Sequence, residues 1–350
     1  MGRDAKDIQV RGSFKIALGL MALTVAGVMV LGFSPTASSW QGGRLKLDES
    51  QQASTSAASR GAALGVNASL AGAQLFPSDN PWNTPIDHLP VDERSADYIA
   101  SIGRDVRLHP DFGKSKDGMS PGIPYVVVSG DEPRYPVRFQ WADESDPALY
   151  PIPSNAPIEG GPKSVGDRHL LVLDRTNSKL YELYGARKVG GIWEAGSGAV
   201  FDLRSNNLRP AGWTSADAAG LPILPGLVRY DEVVEQREIR HALRFTAKST
   251  RRAYVYPARH WASAHTDGKL PPMGLRVRLK AAYDISGFPP AAQVILKALK
   301  KYGMLLADNG GSWFITGAPD SRWDDDELGA LKRVKGDDLE VVQTENIVAP

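Results

Sequence analysis

HLLVLDRTNSKLYELY, residues 169–184, reads as two apolar strands joined by a polar turn at Arg175 to Ser178. Side chains alternate between the two faces of an antiparallel hairpin, so His169, Leu171 and Leu173 fall on the same face as Leu180, Glu182 and Tyr184. The pairing therefore predicts a histidine, a carboxylate and a phenol on one surface. If that face is solvated, the three are ordinary polar residues.

Runs of the same kind continue on both sides of this hairpin. Strands are expected at 123–128, 137–141, around Trp193, and at 199–203, 227–233, 239–246, 253–257 and 275–283. Their short spacing and the scarcity of helical periods between them predict a mainly β fold, an antiparallel β-sandwich or jelly roll, rather than βαβ units. Two helices belong to the C-terminal region. One opens at Phe288-Pro-Pro and runs through Tyr302, with Val294, Ile295, Ala298 and Leu299 on one face and Gly303 as its stop. The other spans 324–334, with four acids at its start. A short helix is expected at 95–103, and a hairpin at 304–317 turning at Asp308-Asn-Gly-Gly. No repeat of 20 to 50 residues is visible, which disfavours a propeller or solenoid.

The 350 residues carry 41 basic and 40 acidic side chains, so the basic footprint of a nucleic-acid binder is missing. Cysteine is absent, which excludes disulfides, thiolate nucleophiles and thiolate-bound zinc. Residues 16–33 form an uncharged apolar run of 18, preceded by Arg3, Lys6, Arg11 and Lys15 within a 1–15 cytoplasmic region. That pattern predicts a signal anchor or signal peptide, with the bulk of the chain extracytoplasmic, anchored to the cytoplasmic membrane or secreted. Residues 34–74, rich in Ser, Ala, Gly and Gln, read as a flexible linker, and 75–345 as a single β-rich domain. Asn67-Ala-Ser is formally a glycosylation sequon, more simply a chance match.

Five blocks, SDNPWN (78–83), GDRHLLVLD with LYELY (166–184), GWTSADAAGLPILPGLVRYDEV (212–233), YPARH (256–260) and YGMLLADNG (302–310), together resemble a group of exported bacterial proteins. The resemblance implies one domain outside the cytoplasm. It brings no mechanism and no catalytic residue, and phosphate-loop, nucleophile-elbow and HExxH motifs are absent from the sequence.

The passage from 198 to 260 is long and largely irregular between strand-like ends, the pattern of a loop that covers or builds a site. It supplies Asp202, Arg204, Trp213, Asp217 and Asp231, polar and aromatic groups of the kind a sugar-binding cleft needs, although Asn206 and Asn207 read as turn chemistry. Strand parity turns His241 inward with Ile239, Leu243 and Phe245, and pairing about Lys248 to Arg251 would bring it near Arg259 and His260. An inward histidine beside an arginine is a candidate acid, base or carboxylate clamp; a satisfied core histidine is its structural alternative. Arg276, Arg278 and Lys280 share one strand face, either solvated or lining a groove for an acidic polysaccharide.

These readings converge on a protein active on a polysaccharide or cell-wall glycan. A glycoside hydrolase would draw its carboxylates from Glu159, Glu182, Asp202 and Asp217; a polysaccharide lyase would use His169, His241 or His260 with a tyrosine and Arg259. The alternative is a non-catalytic glycan-binding or envelope-structural protein on a membrane tether. No cofactor and no transition metal are expected, with calcium left open.

Overall fold

The computed structural model describes residues 63–114, 121–343 and 346–350. The expected cytoplasmic region, apolar segment and most of the linker lie outside the described residues, among which no helix is long and apolar enough to cross a membrane.

Strands dominate the described chain. In order they are Gly65–Val66 (β1), His109–Asp111 (β2), Tyr125–Val128 (β3), Arg134–Phe139 (β4), Leu149–Pro151 (β5), Leu170–Asp174 (β6), Lys179–Tyr184 (β7), Arg187–Val189 (β8), Ile192–Ala195 (β9), Ser197–Asp202 (β10), Leu243–Ala247 (β11), Arg276–Leu279 (β12), Met304–Asn309 (β13), Phe314–Thr316 (β14) and Leu339–Val341 (β15). The α-helices are Ser95–Ile102 (α1), Pro290–Lys301 (α2) and Asp325–Gly329 (α3). Three sheets result, ordered β1-β3-β6-β7-β10, β15-β12-β13-β11-β14-β2 and β5-β4-β9-β8.

The β6–β7 hairpin forms as its sequence predicts, with Leu171 opposite Glu182 and Asp174 opposite Lys179. The sheets are nevertheless mixed, not antiparallel throughout. β3 pairs in parallel with β6, β11 with β13, β14 with β2, and β4 with β9. A parallel pair needs a long crossover, and the chain uses it to build other elements: β4 and β5 of the four-stranded sheet intervene between β3 and β6, and β12 of the six-stranded sheet with α2 between β11 and β13.

Alternation decides which residues of the five-stranded sheet go to which core. Tyr125, Val127, Leu171, Leu173, Leu180, Ala199 and Phe201 join the main core, which also takes the six-stranded sheet and α2. The opposite parity, Val126, Val128, Leu170, Val172, Tyr181 and Leu183, packs with Trp193, Tyr150 and Ile152 of the four-stranded sheet and its approach. Because both faces of the hairpin are covered, Glu182 and His169 are buried rather than solvated.

Several expected elements differ. Residues 227–233 form no strand but lead into a π-helical turn at Asp231–Gln236, and 253–257 contribute only an isolated bridge at Tyr254. Residues 304–317 are not a hairpin: β13 and β14 both pair with β11, which lies between them. The 324–334 helix is α3 followed by a 3-10 turn, and Asp324 caps it by accepting from the backbone of Asp326 and Glu327. Order begins before residue 75, since β1 pairs with β3, and the Asn67 side chain bonds Pro319 and Tyr125 backbone groups. Arg276 and Arg278 do not line a groove. Arg276 donates to the carbonyls of Pro81, Thr84 and Tyr302, and Arg278 to Glu340, Ile86 and Leu89.

Gly303 ends α2 at φ +65°, and a Cβ there would stand 2.4 Å from the Val277 carbonyl oxygen. Gly303→Ala is expected to cost about 1–3 kcal/mol, read as a lowered melting temperature, because it combines left-handed backbone with a backbone clash. Gly268→Ala, with open space around its Cβ, should stay within about 0.5 kcal/mol.

Candidate functional site

β11 is hydrogen-bonded on both edges, and its Arg244 side chain is buried beneath the loop that follows β10. The guanidinium meets Asp217 in a fork, Nε to Oδ2 at 3.0 Å and Nη2 to Oδ1 at 2.8 Å, and Nη1 donates to Thr316 Oγ1 of β14 at 2.6 Å. The same Nη2 stands 3.8 Å from Asp308 Oδ2 on β13. One cation therefore joins a loop and two strands. Asp217 holds Arg244 more firmly protonated than usual, overcoming the burial that opposes the charge.

The loop carrying Asp217 is pinned along its length. Ser215 Oγ donates to the Leu221 carbonyl, Ser197 Oγ to that of Ser215, and the amide of Ala219 to Ala307. Glu182, with no exposed surface, accepts from the amides of Ile223 and Leu224. Burial pushes its carboxyl up to about 7 despite those bonds. His169 Nε2 donates to the Ala216 carbonyl at 3.0 Å while its Nδ1 faces Glu159 Oε2 at 2.6 Å. Burial opposes charge on this ring, but Glu159 outweighs it and lifts the histidine to about 9.

A cavity of about 400 Å³ opens beside this loop, lined by Trp141, Glu144, Tyr184, Asp217, His260 and Asp308 among others. Exposure separates its carboxylates: Asp167 is exposed, the Asp308 and Glu144 side chains are 24% and 34% exposed, and that of Asp217 is 0%. Burial, reinforced by repulsion from Asp217 and only partly offset by Arg244, raises Asp308 to about 7. Across the cavity the ring of His260 places Nδ1 2.7 Å from the Ala218 carbonyl, so that nitrogen carries hydrogen and, in the neutral ring, Nε2 keeps its lone pair. Nε2 stands 3.9 Å from Glu144 Oε2, and that oxygen accepts from the Thr214 amide. Trp141 and Tyr184 stack on one wall with centroids 6.0 Å apart. Gly196 lies against both rings, where a Cβ would come within 2.7 Å of Tyr184 and 2.8 Å of Trp141.

The structure thus brings together Asp217, His260 and, behind the wall, His169, Glu159 and Glu182. His241 is elsewhere. Its Nε2 faces Glu232 at 3.1 Å, beside Arg229, and among the described residues no hydrogen bond or ion pair joins it to Arg259 or His260. The expected hairpin does not exist, because β11 takes β13 and β14 as its neighbours. Arg259 serves the backbone: its amide bonds Ala219 and its Nε bonds Arg209. Trp213 packs under the Arg209 guanidinium and does not line the cavity, while Asp202 and Arg204 form a surface ion pair with each other. Asp231 bonds Ser69 and the Leu70 amide, and Asn206 bridges Asp79 and Asn80.

Sequence reading missed Arg244, Asp308, Glu144 and Trp141. Arg244 has the parity opposite to Leu243 and Phe245, and a strand covered on both faces hides that signal. Asp308, expected in a turn, lies instead on β13. No three His, Cys, Asp or Glu side chains among the described residues form a group that could hold a metal ion. Comparison of the chain with protein-family models, with curated proteins and with solved structures finds no match.

Two measurements follow from this electrostatic arrangement. Arg244→Met should cost about 3–5 kcal/mol by leaving Asp217 buried and unpaired, and adding Asp217→Leu should restore most of the loss. The pH dependence has a definite sign. Asp308 and Glu182 at about 7 and His169 at about 9 all bind protons more tightly when folded. Their stabilisation is complete below the unfolded values, near 4 for the carboxyls and 6.5 for the histidine, and is lost as pH rises through the folded ones. Melting temperature should accordingly fall between pH 6 and pH 9.5, less steeply in His169→Gln.

Proposed function

We propose that the domain is a carbohydrate-active hydrolase working outside the cytoplasm, with Asp308 as its proton donor. The observation that carries this reading is a carboxyl raised to about 7 that faces a cavity also holding the half-open carboxylate of Glu144. Cleavage of a glycosidic bond needs one carboxylic acid to protonate the leaving oxygen and one carboxylate to activate water or attack the anomeric carbon. Asp308 suits the first role because at neutral pH about half of it is protonated. Glu144 suits the second, with its Oε2 steadied by the Thr214 amide. The exposed face of the Trp141–Tyr184 pair offers the flat apolar surface on which a pyranose ring stacks.

In this reading the layered sheets, the finer sandwich arrangement included, are scaffold, and the loop after β10 is the wall that completes the cleft. An extracytoplasmic setting is supported by the basic residues and apolar run at 1–33 and by the resemblance of the five blocks to exported proteins. A lyase would require a basic group against a uronate carboxylate. Arg244 is spoken for by Asp217, and Arg259 by the Arg209 carbonyl.

The test is a panel of neutral and acidic polysaccharides, followed by reducing-end release and by absorbance in the near ultraviolet. Reducing ends without absorbance are expected, and Asp308→Asn and Glu144→Gln should each lower kcat by at least about 100-fold with melting temperatures near that of the parent. Near-ultraviolet product would replace hydrolysis by elimination. Glycan binding without turnover would leave a non-catalytic binding protein.

A further inference from the structure

Both ring nitrogens of His169 meet groups that only accept hydrogen bonds when Glu159 is ionised. Nδ1 lies 2.6 Å from Glu159 Oε2 and Nε2 lies 3.0 Å from the Ala216 carbonyl oxygen. A neutral imidazole carries a single hydrogen and would leave one acceptor facing a lone pair. With only 3% of the side chain exposed, water cannot make up the difference. We infer that His169 is held as a buried imidazolium and acts as a positioning residue for Asp308, fixing the Ala216–Asp217 wall through one nitrogen and setting the charge behind the cavity.

The connection is short. Ala216 precedes Asp217, so the bond at its carbonyl holds the segment that grips Arg244, and Arg244 Nη2 in turn faces Asp308. The charged and titratable groups acting on the ring are Glu159 from the loop before β6, Arg244 from β11 and Asp217 from the loop above. Tyr184 of β7 sets its ring 5.7 Å away, and the His169 charge acts on both Asp308 and Glu182. The Arg244–Asp217 pair is close to neutral taken together, as is the His169–Glu159 pair. Of the second pair, the imidazolium is the member whose charge acts on Asp308. Its positive charge opposes the upward push that burial and Asp217 exert on Asp308. Without it Asp308 would hold its proton to higher pH, able to donate but slow to be restored as a base. The catalytic consequence rests on Asp308 being the proton donor; the electrostatic coupling does not.

Histidine-selective ¹⁵N labelling of the full chain tests the charge, with the His169 signals identified by their loss in His169→Gln. At pH 8 both nitrogens should carry hydrogen, and a neutral ring would overturn the inference. Aspartate-selective ¹³C labelling tests the coupling. The Asp308 carboxyl, identified by its loss in Asp308→Asn, should titrate about one unit higher in His169→Gln than in the parent; an unmoved midpoint in a folded variant would overturn the positioning role. Should His169→Gln not fold, Glu159→Gln replaces it: one buried ring that is doubly protonated at pH 8 in the parent should then turn neutral, whereas an unchanged set of histidine signals would contradict the pairing. None of these readings needs a substrate. Silence on every polysaccharide would therefore remove the hydrolase reading while leaving this inference to stand or fall by itself.

Discussion

Arg244 and Asp217 hold the rest of the site in place. A guanidinium without solvent contact is costly unless its donors are met, and here the fork to Asp217 and the bond to Thr316 meet three of them. Because the partners come from a loop and from β14, the pair can form only when β11, β14 and the loop after β10 are already in register. The backbone bond from Ala219 to Ala307 then ties that loop to β13, the strand that carries Asp308.

Sheet order is the second constraint. Had 304–317 closed on itself as a hairpin, Asp308 would have been a turn residue in water. Insertion of β11 between β13 and β14 instead leaves Asp308 near the end of a central strand, one register step past the irregularity at Phe245/Thr246 and close to Arg244. A carboxyl in that position loses hydration and gains a like charge from Asp217, and both effects favour its protonated form.

The local features of this fold were legible in sequence, and the non-local ones were not. The 169–184 hairpin has both strands, the turn and the parity written into consecutive residues, so the shared face of His169, Glu182 and Tyr184 could be derived. Gly303 after an amphipathic run likewise marked the end of α2, and Asp324 the start of α3. By contrast, β11 finds its partners about 60 residues further along the chain, and nothing in LRFTA distinguishes that from pairing with the next apolar run. The expected proximity of His241 to Arg259 and His260 came from that one assumption, while His260 and Asp217 line one cavity because the loop returns to the same end of the sheet by a different route. Arg244 was invisible for a related reason. Alternation tells inside from outside only when one face is wet, and both faces of this strand are covered.

Burial divides the acidic groups of the site into two kinds, and the division is what makes a chemical role assignable. Glu182 and Asp217 are closed off and have their oxygens engaged by backbone amides or by Arg244, so neither can touch a ligand without the loop lifting. Glu159 is committed to His169. Asp308, Glu144 and Asp167 keep open surface in the same cavity, and the Asp308 carboxyl is raised by burial and by Asp217. The closed carboxylates explain why: Asp217 supplies the repulsion, Arg244 limits it, and Glu182 fixes the loop that excludes water from both. The groups most visible as candidates in the hairpin thus serve as the frame, and the group they act upon lies on a strand whose place in the sheet only the tertiary fold determines.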